Sequence, residues 1–120
     1  MKFSQRRRYG RLAEDACVRA LAAEGYQVVR THLSQGAADV IAWNAQHFLL
    51  VQVKATADQG VVSLSRYKAD LAALRDTSVP SNCQRQLWLY QNGAFTRYEV
   101  TATEVSKVLE RATFEAGAAT

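Results

Sequence analysis

Along residues 10–24 apolar side chains recur at helical spacing: Leu12, Ala16 and Ala20 form one row, and Ala13, Cys17 and Leu21 form the next. Gly25 marks the end of this alanine-rich helix, and residues 26–30 (YQVVR) read as a first strand. A polar loop over 31–37 precedes a strand at 39–43, a tight turn at Asn44 and Ala45, and a strand at 47–54, which together predict a hairpin. A second loop covers 55–60, followed by a short extended piece, VVSL. Ser65 is placed to cap a second helix with an apolar stripe of Tyr67, Leu71 and Leu74. Asn92-Gly93 between strands at 86–90 and 94–100 is the strongest hairpin signal in the chain. Thr101 with Glu104 fits a capping box for a last helix through about Arg111, and residues 112–120 are expected to fray. The order of elements predicts an α/β sandwich around a mixed five-stranded sheet.

A chain of 120 residues with 48% apolar content suits a single folded domain, residues 1–120. Its 15 Lys and Arg against 11 Asp and Glu leave a net charge of +4, which favours an anionic partner. No apolar run approaches membrane-spanning length, and the charged N-terminus lacks a following apolar core, so the expected location is the cytosol, with no membrane partner. Cys17 and Cys83 stand apart without a CxxC or Cys/His pattern; Cys17 reads as a small core residue and Cys83 as a free thiol.

Candidate chemistry lies where polar residues occupy positions the pattern reserves for apolar ones. Glu14 falls at the margin of the first helix's buried stripe, with Asp15 and Arg19 on the solvated side. Asp39 opens a strand whose inward positions are otherwise apolar. In LLVQVKAT, residues 49–56, Gln52 and Lys54 share a strand face with Phe48 and Leu50. Each has an ordinary explanation alone: a first-turn acid, a turn residue, an edge-strand lysine. Jointly they explain one another, because the hairpin brings Asp39 beside Gln52 and Lys54, and a helix packed on the sheet can deliver Glu14 to the same spot. Two carboxylates and an amide oxygen suit a hard cation such as Mg²⁺ or Mn²⁺. With the lysine beside them, such a site can hydrolyse a phosphodiester.

Gly10-Arg-Leu-Ala-Glu14, Asp39-Val-Ile and Gln52-Val-Lys54, in that order and in this pattern of elements, resemble the PD-(D/E)XK nuclease superfamily. The archaeal-type Holliday junction resolvases look most similar, over residues 8 to 111. The resemblance implies a restriction-endonuclease-like three-layer sandwich and an Mg²⁺-dependent endonuclease acting on four-way DNA junctions in recombination and repair. It further implies metal ligation by Glu14, Asp39, Gln52 and the carbonyl of Val53, and a catalytic role for Lys54. Ser34 matches the position of a serine in those resolvases' active-site loop. They work as homodimers, and Trp88 or its neighbours are candidates for the interface. Ala38 stands where the motif's name has proline. Gln52 stands where most members have Glu, as in the Gln-x-Lys of Mrr-type restriction nucleases, and removes one negative charge. Alternatives are an Mrr-like or phage-type nuclease acting on other DNA structures, and a DNA-binding domain of the same fold without catalysis. A basic arm over residues 1–9, with Arg6, Arg7 and Arg8, together with Arg11, Arg30, Arg66 and Lys68, supplies candidate phosphate contacts.

Overall fold

The structure, a computed structural model, describes residues 3–31 and 37–108, with side chains from Arg8 onward. Helix α1 spans Phe3–Ala23, so it begins well before residue 10, and the basic segment forms its first turns. Nothing in Ser-Gln-Arg-Arg-Arg opposes helix, because neither proline nor a β-branched residue interrupts it. The helix ends where Gly25 adopts φ +94°. Gly25 N–H then donates to Ala22 and Tyr26 N–H to Leu21, each at 3.0 Å, which satisfies carbonyls the helix leaves open. Only one predicted row is fully buried: Ala13, Cys17 and Leu21 are inaccessible, whereas Leu12 is 47% exposed.

Six strands form one sheet in sequence order: β1 (Gln27–Arg30), β2 (Val40–Trp43), β3 (Phe48–Ala55), β4 (Cys83–Gln91), β5 (Ala94–Val100) and β6 (Val105–Lys107). Only β3 and β4 run parallel, because the chain between them crosses over through a 3-10 turn (Leu64–Tyr67) and helix α2 (Lys68–Asp76). Alternation along β3 divides the layers. Leu49, Val51 and Val53 pack with Ala13, Cys17 and Leu21 under α1, whereas Leu50, Gln52 and Lys54 face the α2 side. On that second face Tyr67, Leu71 and Leu74 close over Leu87, Leu89 and Val100. The result is the three-layer α/β sandwich expected, with one strand more. Burial pushes the Cys17 thiol up to about 12, so it behaves as an inert core residue, and both cysteines are free.

The sixth strand replaces the start of the expected last helix. Thr101 Oγ1 does accept from Glu104 N–H, at 3.1 Å, but Thr101 N–H also donates to Glu104 O at 2.9 Å, closing a tight turn into β6. The same side-chain acceptor serves a turn as readily as a helix start, and the three residues after it pair with Tyr98–Val100. The rest of that expected helix and the terminal segment lie outside the described residues. The cap before α2 also moves: Ser63, not Ser65, accepts at the start of the 3-10 turn, from Ser65 N–H at 3.3 Å.

Trp88 is not available to a partner. It has no exposed surface, donates from Nε1 to Gln86 Oε1 at 2.7 Å, and lies under the Arg97 guanidinium, 3.8 Å from the ring centre. Arg97 in turn forms a forked pair with Glu24 at the end of α1, with N–O distances of 3.0 and 2.6 Å. Trp88 thus links the sheet to α1 through a cation on its face. Replacing Trp88 by Ala is expected to lower stability by about 3–5 kcal/mol in urea denaturation. A loss under about 1 kcal/mol would contradict its place as a core anchor.

Candidate active site

The site is built where two ladders stop at different places. Strand β3 pairs with β4 along its whole length, to Ala55, but with β2 only as far as Val51 opposite Val40. Beyond that point β2 offers no more backbone, and Asp39 takes over. Its N–H donates to Val51 O at 2.8 Å, and its Oδ2 accepts from Val53 N–H at 2.9 Å. The side chain therefore continues the ladder by one rung, which holds the carboxylate near the plane of the sheet rather than on either face. In a strand, the N–H and C=O of one residue point the same way. The Val53 carbonyl consequently looks toward the same edge, past the end of β2.

At this position Asp39 is subject to burial, to the β3 backbone and to charges on the α2 face. Burial pushes its carboxyl above the usual range; the Val53 N–H and the Lys54 ammonium counter that, and Asp70 adds to it. Glu14, half-buried on α1, is also pushed up, first by burial and then by the negative charge of Asp39, against the cations of Arg30 and Arg11. Glu14 feels the charge of Asp39 from the α1 side, and Lys54 acts on Asp39 from the α2 side. Gln52 is half-buried, shares the face of Lys54, and makes no side-chain hydrogen bond to a described residue. The geometry therefore joins Asp39 to the Val53 backbone and sets Glu14 and Lys54 on either side of it, with Gln52 on the Lys54 face. Ser34 lies outside the described residues, as do the side chains of Arg6 and Arg7.

Lys54 has a partner that the sequence reading missed. Its Nζ is 3.0 Å from Oδ1 of Asp70 in the first turn of α2, with both side chains about one-third exposed. The signal was present: Asp70 lies three residues after Tyr67 and four before Leu74, inside the apolar stripe rather than opposite it. Asp15 lies on the solvated side as expected, its side chain 43% exposed, and there it pairs with Arg30 across the α1–β1 contact; that guanidinium holds its carboxyl below the usual range.

Beside Lys54 a cleft of about 540 Å³ opens between α1 and the segment after β3. Tyr9, Thr56, Arg66 and Tyr67 line it with Lys54. Arg66 is fixed there by Asp58 at 2.6 Å and by Thr56 Oγ1 at 3.2 Å. Arg8, Arg11 and Lys68 are exposed.

The donors at Asp39 suit a small hard cation in kind: a carboxylate oxygen not used by Val53, the Glu14 carboxylate, an amide oxygen and a backbone carbonyl. Among the described residues, no three His, Cys, Asp or Glu side chains stand close enough to share one ion.

A comparison with curated proteins finds no match. Among solved structures, the chain is similar to the 1.6 Å structure of Hjc from Archaeoglobus fulgidus, a Holliday junction resolvase from an archaeal hyperthermophile. That likeness has a TM-score of 0.61 at 16% identity, spans 89% of this chain and 95% of the other, and is a likeness of fold. Residues 5–74 match the profile of the archaeal Holliday junction resolvases, a stretch that holds α1, the hairpin with Asp39 and Lys54, and the start of α2. This chain belongs to the archaeal Holliday junction resolvase (Hjc) family.

Proposed function

We propose that the cluster around Asp39 is the catalytic centre of this resolvase-family nuclease, that it works with Mg²⁺ or Mn²⁺, and that its substrate is a four-way DNA junction. The observation that carries this reading is the convergence on one carboxylate: Asp39, held at the sheet's edge by Val53 N–H, with Glu14 on one side and Lys54 on the other. The proton affinity of these two half-buried acids stays raised despite Lys54, Arg30 and Arg11, so their charge is incompletely compensated, and a divalent cation would supply the remainder. Glu14 and Asp39 would hold it by charge, Gln52 and the Val53 carbonyl by neutral oxygens. When bound, the cation lowers the pKa of a water and offsets charge developing on the phosphate.

The chain's own residues supply the rest. Lys54 presents an ammonium to a non-bridging phosphate oxygen and stabilises charge in the transition state. Arg8 and Arg11 on α1 and Lys68 on α2 stand exposed for phosphate contacts, joined by Arg6 and Arg7 in the same basic run. Arg30 and Arg66 already hold Asp15 and Asp58, so their part is to fix local structure as much as to meet DNA. Ser34, five residues before Asp39, is assigned to the same centre. Contacts to phosphates rather than bases fit recognition of DNA shape. The enzyme acts as a homodimer, whose two centres cut opposed strands, through a surface other than Trp88.

On a labelled junction with Mg²⁺ or Mn²⁺, the protein is expected to make paired symmetric nicks, and matching duplex should stay intact. Lys54→Ala and Asp39→Asn should each slow cutting by about 10²- to 10³-fold while leaving junction binding in EDTA within a few-fold. Cutting of plain duplex at the junction's rate would move the activity to a general nuclease. Binding without cutting in any metal would remove the catalytic reading.

The raised carboxyls also predict a pH effect. Glu14 and Asp39 bind protons more tightly when folded, so their contribution to metal-free stability is greatest at low pH. It should decline as pH rises through their ordinary values of 4.5 and 3.8 toward the raised folded ones. Asp39→Asn should flatten that decline in urea denaturation with EDTA and should abolish stabilisation by Mn²⁺. An unchanged slope would mean that Asp39 is not held against its charge.

A further inference from the structure

The site as assigned has a deficit. A glutamate at position 52 would bring a third negative charge, and Gln52 brings none. Across the same face, Asp70 holds the Lys54 ammonium at 3.0 Å. Its place is fixed by packing, since the adjacent Leu71 and nearby Leu74 are buried against Leu87 and Leu89. Asp70 is also within electrostatic reach of Asp39, whose carboxyl, beyond the effect of its burial, is acted on by Lys54 and Asp70 in opposite senses.

We propose that Asp70 supplies, from α2, the negative charge that strand position 52 lacks, acting through Lys54 as a positioning residue rather than as a ligand. The absence of any three-acid cluster among the described residues keeps it out of direct ligation. Its effect is instead on the balance of charge. With Asp70 present, the ammonium is countered from the α2 side, and Glu14 and Asp39 keep their attraction for a divalent cation. Without Asp70, Lys54 becomes the counter-ion of Asp39 and competes with the metal for it. An acid in a helix's first turn is commonly explained by the helix dipole alone. That account predicts a stability effect and no link to position 52.

This inference rests on Glu14 and Asp39 forming the cation site, and its test separates the two. Mn²⁺ is titrated calorimetrically, without DNA, into the full chain and into Asp39→Asn, Asp70→Asn, Asp70→Glu and Gln52→Glu/Asp70→Asn, each checked for folding by thermal unfolding. Asp39→Asn should abolish binding; if it does not, the cation site itself is misassigned. Asp70→Asn should weaken Mn²⁺ by about tenfold. Asp70→Glu should stay within about threefold of the parent, and Gln52→Glu should restore the affinity lost by Asp70→Asn. If Asp39→Asn abolishes binding while Asp70→Asn leaves it within about twofold, the role of Asp70 is overturned and the site stands. The same holds if Gln52→Glu fails to rescue, or if Asp70→Glu behaves like Asp70→Asn, because a purely structural contact has no reason to answer to charge at position 52.

Discussion

The early end of the β2–β3 ladder governs the site proposed for this molecule. Strand β3 is gripped by β4 to Ala55, but its other edge loses its backbone partner after Val51. An unpaired N–H at buried Val53 would cost about 1–3 kcal/mol, and the Asp39 carboxylate removes that cost by accepting it at 2.9 Å. The acid is thus held by a backbone requirement as well as by any chemistry it performs. Charges of the α2 side act on it, and it acts in turn on Glu14 in the α1 layer.

The two helices then divide the work. Helix α1 is registered by Ala13, Cys17 and Leu21, so Glu14 is presented at the edge of the buried row. Helix α2 is registered by Leu71 and Leu74, so Asp70 comes down on Lys54. Sheet, upper layer and lower layer each contribute one acid to a single neighbourhood, and the parallel β3–β4 pair places the crossover helix there. Trp88, far from a surface role, joins α1 to the sheet through Arg97 and Glu24 and so steadies the layer that carries Glu14.

Much of this was legible in the chain. The 39–54 hairpin follows from alternating apolar residues around Asn44, whose Oδ1 accepts from Gln46 and His47 N–H at 2.8 and 2.7 Å. It put Asp39 beside Gln52 and Lys54 without further information. Asn92 and Gly93 take the positive φ values of 53° and 76° that their turn requires. What failed did so for identifiable reasons. Thr-x-x-Glu at 101–104 bonds in a turn much as it would at a helix start, so local chemistry could not choose, and pairing with β5 decided. Trp88 looked like an interface aromatic because a single strand does not reveal that both its faces are covered. Asp70 hides in the sequence because an acid in a helix's first turn is ordinarily accounted for by the helix dipole, although its helical phase puts it in the stripe facing the sheet.

An acid that lies in the plane of a sheet can be served from above or from below. Neither helical layer therefore has sole custody of the surrounding charge, and a change at a strand position can be met by a residue from a different layer without disturbing the backbone. Sequence drift in such a centre has a path that keeps the fold intact and moves only where the charges reside. The one element with no such freedom is the rung that Asp39 adds beyond Val51, because both the ladder's end and the edge proposed for the chemistry are defined by it.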